Sequence, residues 1–255
     1  MGKWQTCWNE TGASMTGEGN RDFPSTSWTL IVAAAGPRPD ASVRHALEKL
    51  CLAYWYPLYA YARRQAYPAE DAADLVQGYF AKLLEKDYLQ DARSERGRFR
   101  SFLIASFRHY LSNERDRERA VKRGGSGVRL SISVEDAERI YSLDTLRDPS
   151  PEKAFERQWA LTVLERAMSR LRSDSERRNK ARLFDLLKSH LMNGSDHLRY
   201  ADQAAQLNMS TGALKVEVYR MRKRLQSAVR DEIAETVRSI DEIEQELRFL
   251  IKAIS

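Results

Sequence analysis

Cysteine and histidine are scarce in this chain of 255 residues. The two cysteines, Cys7 and Cys51, are too few for a disulfide framework, which favours a reducing compartment. The four histidines show no metal-ligand spacing, and no glycine-rich phosphate loop ending in Lys-Ser or Lys-Thr is present. The sequence therefore predicts no metal, no cofactor and no catalytic residue.

Long apolar runs are also missing. No stretch approaches the roughly 20 apolar residues that a membrane-spanning helix requires. Glycine, asparagine, threonine and charged residues interrupt positions 1–27, so these residues contain no apolar core of signal-peptide length. We therefore expect a soluble, cytoplasmic protein with no membrane span.

Positive charge, by contrast, is plentiful and concentrated. Ten lysines and arginines but only four acids lie between Arg93 and Arg123, an excess equal to the net charge of +6 of the whole chain. A basic segment favours a polyanionic partner, either nucleic acid or an acidic membrane surface, and does not decide between them.

Apolar residues recur at intervals of three and four along most of the chain, which is typical of amphipathic helices. Alternation typical of a strand is limited to the short stretch 130–134. We therefore predict an all-α fold of two small helical domains, joined by a flexible linker and followed by a C-terminal helical extension. The predicted boundaries are a disordered lead-in at 1–25, a first domain at 26–123, the linker at 124–150, a second domain at 151–229 and the extension at 230–255.

Local signals mark several helix ends. Ser150 followed by Pro151 predicts an N-cap with proline at the first helical position. Ser239 and Glu242 match a capping box, which predicts the start of the last helix. Pro57 lies inside an apolar repeat and predicts a bend or a restart of the first helix.

The segment from Tyr200 to Leu225 matches a helix-turn-helix. Asn208 suits the sharp turn because asparagine tolerates a left-handed backbone, and Ser210 is a good N-cap for the second helix. That helix has an apolar seam, expected to pack inward, and a basic side suited to the major groove and phosphates. The alternative is an ordinary helical hairpin with a solvated basic face. Glu217 would be repelled by phosphate, so it either reads a cytosine amino group or points away.

The basic segment also predicts a helix with aromatic residues on one face. That face carries Phe99, Phe102, Leu103, Phe107, Tyr110 and Leu111. Arginines and polar groups, among them His109 and Asn113, lie on neighbouring stripes and suit single-stranded or melting DNA. A core helix with a solvated charged face is the alternative, and most of the aromatics are expected in the core in either case.

Three stretches together resemble the extracytoplasmic-function (ECF) group of the sigma-70 family, which has only regions 2 and 4. Asp71–Phe80 looks like the region 2 signature that docks on the polymerase. Phe99-x-x-Phe102-Leu103 resembles the aromatic motif that leads into promoter melting, and Tyr200–Leu225 is similar to the part of region 4 that reads the −35 element. The resemblance runs from about Thr26 to the C-terminus and implies a sigma factor, which binds core RNA polymerase and directs it to promoter DNA.

The resemblance also implies roles for particular residues. Docking on the β′ clamp helices is implied for Asp71, Asp74 and Gln77, while region 4 is expected on the β flap. Contacts with the −10 element are implied for Arg96, Arg98, Phe99, Arg108, His109, Ser112, Asn113 and Arg115. Contacts with the −35 element are implied for Ser210, Thr211, Gly212, Lys215, Tyr219, Arg220, Arg222 and Lys223. The linker is expected to run through the polymerase near the RNA path.

The docking motif departs from the family at two positions. The family commonly has further acids where this chain has Ala73 and Gly78. Either Asp71 and Asp74 are sufficient, or core binding stays weak until a modification such as phosphorylation by a regulatory kinase adds negative charge. The second hypothesis predicts that Ala73→Glu raises the affinity for core polymerase.

Two further alternatives stay open at this point. A helix-turn-helix regulator would bind duplex DNA without polymerase, whereas an enzyme acting on nucleic acid would need a carboxylate or metal cluster that the sequence lacks. The C-terminal apolar repeat either packs on the chain's own domains, which is the favoured interpretation, or forms a regulatory surface. Such a surface would dock region 4 against region 2 or bind an anti-sigma factor.

Overall fold

The computed structural model describes residues 41–84, 98–120, 134–144, 150–192, 197–237 and 239–254. Every regular element within these ranges is an α helix, which confirms the all-α prediction. The helices are α1 (Ala41–Arg64), α2 (Ala69–Leu84), α3 (Phe99–Ala120), α4 (Val134–Asp144), α5 (Pro151–Arg177), α6 (Ala181–Met192), α7 (His197–Gln206), α8 (Thr211–Ala234) and α9 (Ile240–Ile254). No helix in this part of the chain is long and apolar enough to cross a membrane. The predicted lead-in at 1–25 and Arg96 lie outside the described residues.

Helices α1 to α3 pack around an aromatic core. The ring of Tyr79 lies 5.0 Å from that of Phe107 and 5.6 Å from that of Tyr110, measured between centroids. The Tyr79 hydroxyl donates to the carbonyl of Leu103, which ties α2 to α3. Helix α1 continues through Pro57 as one element, so the predicted restart does not occur. The aromatic face predicted for α3 is buried, and it holds the polar face of the same helix outward.

Helix α4 lies within the segment that the sequence analysis assigned to a flexible linker. Ala137 is buried, and the carboxylate of Glu138 is held by α1. It accepts from the Tyr59 hydroxyl at 2.6 Å and from Nε and Nη2 of Arg63 at 3.0 and 2.7 Å. Residues 134–144 are therefore a docked helix and not a flexible connection.

This anchor predicts a pH-dependent contribution to stability. Hydrogen bonds from Arg63, and then from Tyr59, hold the pKa of Glu138 below its ordinary value, although burial opposes the shift. A carboxyl whose pKa is lower in the folded state stabilises the protein above its ordinary pKa, and the contribution is lost as pH falls through the folded-state pKa. Glu138→Gln should therefore lower the free energy of unfolding by about 1 kcal/mol at neutral pH, after allowing for solvent screening.

The measurement is urea denaturation of both proteins from pH 7 down to about pH 3.5, a range that spans the ordinary carboxyl pKa. The difference between wild type and Glu138→Gln should shrink steadily as the pH falls below the ordinary carboxyl pKa. Glu135→Gln, at an exposed position of the same helix, is the matched control. A difference that stays constant across the range would contradict this assignment.

Helices α5 to α8 form the second block. Ser150 caps α5 with its side chain accepting from the backbone N–H of Lys153, and Pro151 opens the helix, as predicted. Helix α5 runs for 27 residues and contacts α6, α8 and α9 as well as α1. It is the element on which the rest of this block is assembled.

The two predicted domains share a buried interface in this structure. Helix α5 packs along α1, and the indole Nε1 of Trp159 donates to the hydroxyl of Tyr54 at 3.0 Å. Trp159 and Tyr54 are both almost completely buried, and Phe155 stacks on Tyr54 with ring centroids 6.5 Å apart. The buried hydrophobic residues of both blocks therefore form one continuous cluster.

Helix α9 begins directly after Ser239, at the position that the capping box predicted. Leu247 and Leu250 are buried, and the helix packs on α5 and α8. The ring of Phe249 lies 5.8 Å from that of Trp159. The favoured interpretation of the C-terminal repeat, packing on the chain's own domains, agrees with this arrangement, although Ile240 stays exposed.

Candidate nucleic-acid interface

The turn between α7 and α8 has the geometry that a helix-turn-helix requires. Asn208 adopts a left-handed conformation with φ of 52°. The N–H of Met209 donates to the carbonyl of Ala204 at 2.9 Å, and the N–H of Asn208 donates to that of Ala205 at 3.1 Å, which is a Schellman motif. Ser210 then caps α8 by accepting from the N–H of Ala213 at 3.1 Å. The predicted turn residue and N-cap both occupy their expected places.

The inward seam of α8 is buried as predicted. It consists of Leu214, Val218, Met221 and Leu225. Tyr200 and Ala204 of α7 are buried against this seam. The two helices are therefore held in a fixed orientation, and the other face of α8 is exposed to solvent.

Most of the predicted −35 residues share that outward face. The exposed ones are Ser210, Thr211, Gly212, Lys215, Tyr219, Arg220 and Lys223. Arg222 differs, because its guanidinium donates to the carbonyl of His190 at 2.8 and 3.3 Å and so binds the C-terminal end of α6. Val216 is 47% exposed on the same face and was not predicted, because an aliphatic side chain carries no signal for DNA contact in the sequence.

Glu217 is the acid that the sequence left ambiguous on this helix. It is 8% exposed, and its carboxylate pairs with Lys180 at 3.5 Å and with Arg220 at 3.1 Å. The structure thus favours the interpretation that Glu217 points away from the exposed face. The carboxylate ties α8 to the residue that precedes α6.

The predicted polymerase-docking residues lie on α2. Asp71 and Asp74 are exposed, and Gln77 is partly exposed. Residues spaced by three lie on one side of a helix, so the three side chains form a continuous acidic and polar strip. Glu70 is also exposed in the first turn, and because it lies four residues before Asp74 it extends the same strip.

The two positions where the family commonly has acids are not available on this surface. Ala73 is 2% exposed, inside the packing of α2. A Cβ atom added at Gly78 would lie 2.6 Å from the hydroxyl oxygen of Tyr110, which is itself buried. A carboxylate at position 73 would therefore enter the core, and any side chain at position 78 would require Tyr110 to shift.

Helix α3 presents five of the predicted −10 residues to solvent. They are Arg108, His109, Ser112, Asn113 and Arg115. Arg115 also donates from Nε to the Tyr67 hydroxyl at 2.6 Å and stands over that ring, 5.0 Å from its centroid. The other four residues form two adjacent pairs, 108–109 and 112–113, which are four residues apart. They therefore make a continuous stripe along the helix.

Phe99 and Arg98 differ from this stripe. Phe99 is fully buried and packs edge-on against Tyr54 with ring centroids 5.0 Å apart, so it is a core residue in this structure and not a DNA contact. Arg98 is partly exposed, and its Nη1 atom pairs with Glu246 of α9 at 2.9 Å. The start of α3 is therefore covered while its middle is open.

The search for a metal site and the comparisons with known proteins narrow the class of protein. Within the described residues, no group of three or more His, Cys, Asp and Glu side chains could hold a metal ion. The statistical model of one family, described as "ECF sigma factor", matches residues 46–231, which include α2, α3 and the helix-turn-helix. No curated protein and no solved structure shows significant similarity to the chain. The chain therefore belongs to the ECF sigma factors, which bind RNA polymerase and direct promoter recognition.

Proposed function

We propose that this sigma factor docks on the β′ clamp helices through Asp71, Asp74 and Gln77. The support is a strip of two exposed carboxylates and one amide on a single side of α2. Charged groups at an interface rim guide association and set specificity, and they need no rearrangement of the core beneath them. Region 4 sits on the β flap in the same complex.

The recognition helix α8 enters the major groove of the −35 element. Its first turn carries Ser210, Thr211 and Gly212, and exposed N–H groups at a helix N-terminus suit phosphate. Lys215, which is exposed, adds positive charge near this turn. Val216 offers an apolar surface of the kind that contacts a thymine methyl group.

The exposed stripe of α3 holds the −10 element as it melts. Arginine at one end of the stripe binds phosphate, while His109 and Asn113 receive the edges of unstacked bases. The observation that carries the proposal is this stripe itself, which stands on a helix whose opposite face is locked into the core by Phe107 and Tyr110. Because this helix is already ordered, binding single-stranded DNA does not incur the entropic cost of ordering it.

Promoter-dependent run-off transcription tests the proposal. The reaction contains purified core polymerase, the full-length protein and a template from upstream of its own gene. Wild type should give a specific transcript. Asn113→Ala should reduce it about tenfold, because one polar contact with a base contributes roughly 1–3 kcal/mol.

A second template, already unpaired at the −10 element, separates melting from docking. On this template Asn113→Ala should reduce the amount of transcript by less, because the protein no longer has to supply the free energy of unpairing. Ser173→Ala, at an exposed position of α5, is the control. Equal transcription by Asn113→Ala and Ser173→Ala would contradict the assignment of the stripe.

A further inference from the structure

Two arginines at the start of α3 converge on one carboxylate of α9. Arg100 donates from Nε and Nη2 to the two oxygens of Glu246 at 3.1 and 3.0 Å, which is a bidentate pair. Arg98 adds a third contact, from Nη1 to Oε1 of Glu246 at 2.9 Å. Glu246 is 1% exposed, so its charge is enclosed by these two guanidinium groups.

The surroundings of this pair show a built site. The guanidinium of Arg100 lies over the rings of Phe249 and Trp159, 3.8 and 5.1 Å from their centroids. The backbone N–H of Phe99, at the N-terminus of α3, donates to the carbonyl of Thr236 at 3.3 Å. Two arginines and an aromatic wall thus surround one anionic group, beside a helix N-terminus whose first N–H is bonded to a backbone carbonyl.

This arrangement suits phosphate as well as it suits a carboxylate. Arginine binds both groups through the same fork of parallel N–H donors. The N-terminal end of a helix adds positive potential that favours either anion. The site also lies on the helix whose middle carries the exposed −10 stripe, so a DNA strand that follows α3 would bring phosphates to it.

We propose that Arg98 and Arg100 form a phosphate-binding site for promoter DNA, and that Glu246 occupies it as an internal competitor. The inference rests on the proposed function. The side chain of Glu246 stands where a phosphate of the strand would bind, so α9 must leave the start of α3 before this part of the promoter is held. Arg100 was not among the candidate residues predicted from the sequence, and the acid that it binds, Glu246, lies 146 residues further along the chain.

The dimensions of the promoter also favour release. The −35 and −10 elements are centred about 25 base pairs apart, which corresponds to roughly 85 Å of duplex DNA. A compact chain of this length has a radius of gyration of only about 18 Å. The stripe of α3 and the recognition helix α8 therefore cannot span both elements while α1, α5 and α9 remain packed together. Helix α9, which contacts both blocks, closes this packed arrangement.

The test uses the full-length protein assembled with core polymerase and a fluorescent promoter duplex from upstream of its own gene. Gln245 is exposed and its side-chain oxygen accepts from Arg98, so Gln245→Glu adds a second carboxylate to the competitor. We expect it to weaken promoter binding about two- to fivefold, the range for one exposed ion pair. Ser173→Glu, an exposed position on α5, makes the same change in net charge and should bind like wild type.

Glu246→Gln is the complementary variant, and it should tighten promoter binding by a similar factor. This substitution leaves Arg100 buried without a carboxylate, so the folding of the variant is checked by circular dichroism. If Glu246→Gln does not fold, the result with Gln245→Glu decides the outcome. Hydrogen exchange of the α9 amides is followed in parallel. It should rise when promoter is added to the holoenzyme.

Equal promoter binding by Gln245→Glu and Ser173→Glu, or α9 amides that stay protected in the promoter complex, would overturn this inference alone. Failure of the wild-type holoenzyme to bind any promoter would overturn the proposed function, and the inference with it. The two failures are therefore distinguished by the wild-type control.

Discussion

The double variant Asp71→Arg, Asp74→Arg is expected to lower the affinity for core polymerase by about a hundredfold or more. Reversing a charge in an interface replaces attraction by repulsion, and such changes are worth roughly 2–5 kcal/mol where the groups are in contact. Both aspartates are exposed, so the free energy of unfolding should change little. The measurement is a binding titration of labelled protein with core polymerase at fixed ionic strength.

Glu135→Arg is the matched control for this experiment. Glu135 is an exposed acid in the first turn of α4, so the substitution makes the same kind of charge reversal near a helix N-terminus on a different helix. Its affinity for core polymerase should remain within about threefold of wild type, the effect of one screened surface charge. Equal losses in Glu135→Arg and the double variant would show that net charge, and not the strip on α2, determines docking.

The second large effect concerns Ala73, where the family commonly has an acid. Because Ala73 is 2% exposed, Ala73→Glu would place a carboxyl group in the core of the first block. An unpaired buried carboxylate has to shed its hydration or take up a proton, and new atoms must be fitted among packed side chains. We expect the free energy of unfolding to fall by about 4 kcal/mol or more, and core binding to fall with it.

Ala105→Glu provides the comparison, because Ala105 is an exposed alanine in the middle of α3. Urea denaturation should place it within about 0.5 kcal/mol of wild type, as for most surface substitutions. The hypothesis from the sequence, that an acid at position 73 strengthens docking, makes the opposite prediction. A folded Ala73→Glu protein that binds core polymerase more tightly than wild type would restore that hypothesis.

Local features of the fold could be predicted because their causes are local. The left-handed turn at Asn208 and the cap at Ser210 depend on a few neighbouring residues, and both are present. The same holds for Ser150 before α5 and for the aromatic face of α3, whose spacing already separates a buried side from an exposed one. Most of the candidate DNA-binding residues were found by this route.

Contacts between distant parts of the chain could not be predicted in this way. The pairing of Arg98 and Arg100 with Glu246 joins residues that no periodicity connects, and so does the hydrogen bond of Trp159 with Tyr54. The burial of Phe99 follows from the same packing, because Tyr54 lies on another helix.

Helix α4 had a local signal that was overlooked. Two acids open it, and Ala137 and Tyr141 lie four residues apart, but the glycines and prolines on either side led to its assignment as a linker. What holds it in place, the pairing of Glu138 with Arg63, is again a contact across the chain. The helix could have been predicted from the sequence, whereas its docking could not.

The most direct test of this account is the fluorescence anisotropy of a labelled promoter duplex from upstream of the chain's own gene. It is measured with the full-length protein alone, with core polymerase alone and with both together, at one ionic strength because DNA affinity depends steeply on salt. The account predicts a stable, sequence-specific complex only when both proteins are present. Equally tight and specific binding by the protein alone would contradict it and favour a helix-turn-helix regulator that acts without polymerase.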